Sequence, residues 1–147
     1  MAKVYVSAII DLPVDKVWSL ARDFNGHGMW HPLIAESHIE DAMPSDQVGC
    51  VRNFALADGG RLRERLLSFS DLERRFTYNI IESPLPVRNY IASFGCKPVT
   101  EGDKTFVEWT AEFDVAEADE ARIKDQVGRR TFAAGIAALA EALLSQD

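Results

Sequence analysis

Apolar and polar residues are patterned differently in three parts of the chain, and each pattern predicts a different kind of element. The chain opens with an apolar, β-rich run, Val4-Tyr5-Val6-Ser7-Ala8-Ile9-Ile10, which reads as a strand. Pro13 then suits the first turn of a helix, and Val14, Val17, Trp18 and Ala21 recur at helical spacing behind it. This helix should end near Phe24-Asn25-Gly26, with Gly26 and Gly28 as breakers, before an aromatic-rich irregular segment, Met29-Trp30-His31-Pro32. From about residue 34 to residue 114 short apolar–polar alternations are separated by turn signals, which predicts an antiparallel meander of about six strands. The breaks fall at Ala57-Asp58-Gly59-Gly60, Ser70-Asp71-Leu72-Glu73, Ser83-Pro84-Leu85-Pro86 and Thr100-Glu101-Gly102-Asp103.

The last segment, from about Asp119 to Leu144, has no proline and places Val127, Phe132, Ile136, Leu139 and Leu143 on one stripe. It predicts an amphipathic helix of roughly 38 Å. Gly128 and Gly135 lie inside it; each costs about 1 kcal/mol against alanine, so a bend or a close approach to the sheet is expected there. The order is strand, helix pair, antiparallel strands, long helix. A single sheet must cover its apolar face, and only the C-terminal helix is large enough to do so. The fold class is therefore α+β, with a curved sheet around that helix and one domain over residues 1–147.

Strand alternation assigns faces. In Arg61-Leu62-Arg63-Glu64-Arg65-Leu66-Leu67 the three arginines share one face, and Leu62, Glu64 and Leu66 the other. Arginines favour water, so Glu64 points inward between two leucines. A buried carboxylate needs a polar partner. A two-residue Asp58-Gly59 loop would set Asn53 opposite Glu64 on the interior face, and Tyr78 and Tyr90 are further candidates. Phe76, Tyr78 and Ile80, then Tyr90, Ala92, Phe94 and Cys96, then Val107, Trp109, Ala111 and Phe113 complete the inward set. Tyr78, Tyr90 and Trp109 are the better cavity candidates, because each carries a polar tip that a dry core must satisfy. Arg52, Arg61, Arg63, Arg65, Arg74 and Arg75 are expected to make a solvated basic outer face.

Composition narrows the classes. The 147 residues are 47% hydrophobic, 27% charged and 10% aromatic, as in globular domains. Sixteen basic and 23 acidic residues give a net charge of −7, which disfavours nucleic acid and anionic membrane surfaces as partners. No apolar run reaches the roughly 20 residues of a membrane helix, and the N-terminus lacks a signal peptide's apolar block, so a cytoplasmic protein is expected. Cys50 and Cys96 are too few for a disulfide framework. His27, His31 and His38 lie close in sequence, but Gly26, Gly28 and Pro32 argue against a helix presenting them, and no ligand set is completed. No metal or cofactor is expected. Walker, dinucleotide-binding, nucleophile-elbow and H-E-x-x-H motifs are absent from the sequence.

This order of elements carries Trp30-His31-Pro32, Gly49-Cys50-Val51-Arg52, Asp58-Gly59-Gly60-Arg61-Leu62-Arg63-Glu64-Arg65-Leu66, Pro86-Val87-Arg88-Asn89-Tyr90 and Val107-Glu108-Trp109. It resembles the polyketide cyclase/dehydrase branch of the START-related, birch-pollen-allergen-like superfamily, SRPBCC. The resemblance implies a helix-grip fold, in which a seven-stranded curved antiparallel sheet wraps a long C-terminal helix around an apolar cavity, with two short helices after the first strand. It also implies binding or transport of a small hydrophobic molecule such as a lipid or polyketide.

The expected ligand-binding residues are Trp30, Asn53, Glu64, Leu66, Tyr78, Tyr90, Trp109, Phe132 and Ile136. An alternative is a cyclase, aromatase or dehydratase using Glu64 as acid or base with His31 or Tyr78 assisting. A second alternative is a protein-interaction module of the co-chaperone-activator type, which would have a filled core. An exposed strand edge could support a homodimer, though no motif demands one.

Overall fold

The computed structural model describes residues 1–145, so the last two positions of the expected domain span lie outside the described residues. Strand β1 (Ala2–Ile10) leads through α1 (Val14–Ala21) and the single turn α2 (His27–Trp30) to β2 (Ile34–Ile39). Strands β3 (Val51–Leu56), β4 (Arg61–Ser70), β5 (Arg75–Glu82), β6 (Val87–Val99) and β7 (Lys104–Val115) follow. They form one seven-stranded antiparallel sheet in the order β1-β7-β6-β5-β4-β3-β2. Register shifts in β2–β3, β4–β5 and β6–β7 supply the irregularities with which a sheet curves. The C-terminal helix lies in the resulting concavity, with Ile123, Val127, Phe132, Ile136, Leu139 and Leu143 all buried.

That helix is not α-helical throughout. A short α segment, α3 (Glu120–Asp125), passes into π-helix over Gln126–Ala133, and α4 (Ala134–Leu144) completes it. The hydrophobic stripe already contains the cause. Val127 and Phe132 are five residues apart, a spacing that regular α-helix would rotate off one face and that the wider i→i+5 turn keeps aligned. Both glycines mark close approaches. A Cβ on Gly128 would lie 3.2 Å from Val4 Cγ1, and one on Gly135 would lie 2.9 Å from both the His31 ring and Trp109 Cζ3.

The β3–β4 hairpin departs from expectation. Its loop has three residues, Ala57-Asp58-Gly59, closed by Leu56 N–H to the Gly60 carbonyl (2.7 Å) and Gly59 N–H to the Leu56 carbonyl (2.9 Å). Gly59, at φ +100°, takes the left-handed conformation that the third position of such a loop needs. The extra residue slips the register by one position, and a slip of one exchanges the faces of a strand. Arg52, not Asn53, therefore pairs with Glu64, and Asn53 pairs with Arg63. Arg52 is buried and does not belong to the basic outer face. The second of the two short helices expected after β1 is the turn His27–Trp30, which takes in Met29 and Trp30 of the expected irregular segment, and His31 N–H reaches the His27 carbonyl at 2.8 Å.

Replacing Gly135 with alanine should destabilise the fold by about 1–3 kcal/mol, because overpacking outweighs the roughly 1 kcal/mol gained in helix propensity. Urea unfolding of Gly135→Ala beside the parent protein checks this; an unchanged or raised midpoint would show that the two rings yield freely.

Candidate ligand-binding site

Between the π segment and the concave face of β3–β7 the structure holds a cavity of about 290 Å³. Phe54, Leu62, Ile80, Trp109, Val127 and Phe132 provide apolar walls, while Leu33, Pro84, Leu85 and Pro86 come from the loops beside it. Six of the expected site residues line it: His31, Glu64, Tyr78, Tyr90, Trp109 and Phe132. Four do not. Leu66 and Ile136 are packed in the hydrophobic core, and Trp30 lies half-buried against that core from α2. Asn53 is on the outer face, where its Nδ2 donates to Glu40 Oε2 at 3.0 Å.

Glu64 is buried and opposite Arg52 across the β3–β4 ladder. Arg52 Nε donates to Glu64 Oε1 at 2.8 Å, and Nη2 lies 2.7 Å from the same oxygen. Nη1 donates to the Phe24 carbonyl at 2.8 Å. The guanidinium carbon lies 4.0 Å from the centre of the Phe24 ring and 4.7 Å from that of Tyr78. Glu64 Oε2 accepts no hydrogen bond among the described residues. Burial pushes the Glu64 carboxyl above its ordinary range, and the charge and hydrogen bond of Arg52 oppose that shift.

Two phenols adjoin the pair. Tyr78 accepts a hydrogen bond from Trp109 Nε1 at 2.9 Å, while its own proton finds no acceptor among the described residues. The Tyr90 hydroxyl makes no hydrogen bond among the described residues, and its ring stacks on Phe113 at 5.6 Å. Burial holds both phenols well above the ordinary tyrosine range, and the charge of Glu64 adds to the effect on each.

The two histidines of α2 and its end behave differently. Leu33 N–H donates to His31 Nδ1 at 3.2 Å, so that nitrogen carries a lone pair; the proton is on Nε2, which donates to the Thr131 carbonyl at 2.8 Å. Both nitrogens are occupied, and His31 ties α2 to the π segment. The assisting acid–base role expected for it has no free nitrogen to act through. His27 also lines the cavity, edge-on to Phe54 at 4.6 Å, and neither of its ring nitrogens has a hydrogen-bond partner. Burial, followed by the positive charge of Arg52, pushes its proton affinity well below the ordinary 6.5. Burial also lowers His31, against the pull of the Thr131 carbonyl. Sequence reasoning missed Arg52 and His27 as cavity residues. The signal for Arg52 was Gly60 after Asp58-Gly59, which admits the longer loop; His27 carried none beyond its place one turn before His31.

The family profile described as "Polyketide cyclase / dehydrase and lipid transport" matches residues 1–144. The chain belongs to this family. Among solved structures it is similar to XoxI of Bacillus cereus, at 32% identity over 99% of this chain and 98% of that one, with a TM-score of 0.87. A protein of Thermobifida fusca is 30% identical over 97% and 93% of the two chains, with a TM-score of 0.86. Norcoclaurine synthase of Thalictrum flavum, determined as a point mutant with a transition-state analogue, shares the fold at 15% identity and a TM-score of 0.76, covering 99% and 95% of the chains. No curated protein matches the sequence significantly. Among the described residues no helix is long and apolar enough to cross a membrane.

Two outcomes are expected of this polyketide cyclase/dehydrase-family site. Arg52→Met should lower stability by about 3–5 kcal/mol by leaving Glu64 buried without its partner, and adding Glu64→Leu should restore much of the loss. A double-mutant cycle in urea measures the coupling; additive losses would contradict it. Stability should also fall as pH drops through 6.5, because the unfolded chain binds protons that folded His27 and His31 refuse. The slope approaches roughly 1.4 kcal/mol per pH unit for each histidine, offset in part by Glu64, whose raised carboxyl takes its proton earlier in the folded state. Unfolding midpoints between pH 7.5 and 5.5 test this, with a shallower slope in His27→Phe.

Proposed function

We propose that the protein binds a small hydrophobic or aromatic ligand in this cavity, with Glu64, Tyr78 and Tyr90 orienting a polar group and Trp109 and Phe132, stacked on each other at 4.6 Å, forming one apolar wall against the ring. One observation carries the reading: three polar side chains with unused hydrogen-bonding capacity adjoin one largely apolar cavity. Buried polar groups are normally paired, and an apolar pocket with a few convergent polar groups is the usual form of a ligand site. A cavity of about 290 Å³ also argues against the interaction-module alternative, which requires a filled core.

An acid–base reading, with Glu64 exchanging a proton with a polyketide-like substrate, is favoured by the raised proton affinity of that carboxyl. It assigns no proton to His31.

Native mass spectrometry of freshly purified protein, followed by organic extraction, should reveal a stoichiometric small molecule; bare protein that ignores a panel of aromatics and lipids would overturn the reading. Tyr90→Phe separates function from folding. It keeps the ring on Phe113 and removes a hydroxyl that bonds to nothing, so unfolding should be unchanged while affinity for the extracted ligand falls about tenfold or more.

A further inference from the structure

We propose that the cavity selects an uncharged ligand of one or two rings and rejects isosteres carrying either sign of charge. The inference rests on the binding reading above and names the class of molecule that site takes. Two observations carry it. The first is charge: the charged residues lining the cavity are Arg52 and Glu64, buried against each other, and Asp58 and Arg122, both exposed and the latter bridged to Asp119 at 3.0 Å, so the lining charges sum to zero. The remaining polar side chains, those of His27, His31, Tyr78, Tyr90, Gln126 and Thr131, add none in the folded protein. A ligand carboxylate or ammonium would give up its hydration to become an uncompensated charge beside a pair that already neutralises itself. An uncharged ligand with a hydrogen-bond donor instead meets Glu64 Oε2, and one with an acceptor meets the Tyr78 or Tyr90 proton.

The second is size. At about 290 Å³ the cavity has the volume of roughly ten waters in the liquid, at the lower end of small-molecule sites. A naphthalene-sized body fits, and a two-chain lipid does not.

Two matched pairs test the proposal by calorimetry at neutral pH: 2-naphthamide against 2-naphthoate, and 2-naphthalenemethanol against 2-naphthylmethylammonium. Within each pair shape is held and charge is changed. The neutral member should bind about a hundredfold more tightly, or more, in both pairs. Binding of either ion within tenfold of its neutral partner overturns this inference and leaves ligand binding standing. No binding by any of the four overturns both. Glu64→Gln supplies an independent arm, because it leaves the Arg52 charge without its counter-ion. The preference should then shift at least tenfold towards 2-naphthoate, and an unshifted preference in the folded variant counts against the proposal. Should Glu64→Gln not fold, the wild-type pairs decide alone.

Discussion

The ion pair between Arg52 and Glu64 is the constraint on which the rest of this structure depends. Two charges removed from water are tolerated only when each finds charge, hydrogen bonds and polarisable surface in return. Here the carboxylate lies directly across the ladder from the guanidinium, and the guanidinium is covered by the faces of Phe24 and Tyr78. Its remaining bond, to the Phe24 carbonyl, fastens the chain between α1 and α2 to β3, one strand in from the β2 edge of the sheet. One pair therefore links the β3–β4 register, the position of the helical connection and the electrostatics of the cavity.

The cavity owes its shape to how the C-terminal helix approaches that sheet. Gly128 brings one end against Val4 of β1, and Gly135 lets His31 and Trp109 close on the other. Around the first of these the π segment holds Val127 and Phe132 on one face, and it offers the Thr131 carbonyl to His31. The helix is thus pinned within the stretch that roofs the cavity, at Gly128, and again just beyond it, at Gly135, which keeps open a space that apolar side chains would otherwise collapse to fill. On the convex face Arg63 forks onto half-buried Glu40 and also reaches exposed Glu82, pairs that keep more contact with water than the buried one.

Much of this was legible before any coordinates. Leucines on either side of Glu64 placed that carboxylate inward, and the periodicities of β5, β6 and β7 sorted Tyr78, Tyr90 and Trp109 to the same side. Arg52 was misplaced because a hairpin register depends on whether the loop holds two residues or three, and Asp58-Gly59-Gly60 suits both. Asn53 was placed inside by the same slip. Leu66, Ile136 and Trp30 show a different limit: facing inward does not decide whether a residue meets a void or another side chain.

Local chemistry along the chain determined the sequence of elements, the inward faces of β4 to β7 and the presence of a buried carboxylate, because alternation, turn residues and helical spacing act over a few neighbouring positions. Tertiary structure alone decided the partner of that carboxylate, the tautomer that fixes His31 and the existence of a cavity. Each of those depends on distances between segments far apart in sequence, where a single added loop residue or a missing Cβ changes which groups meet.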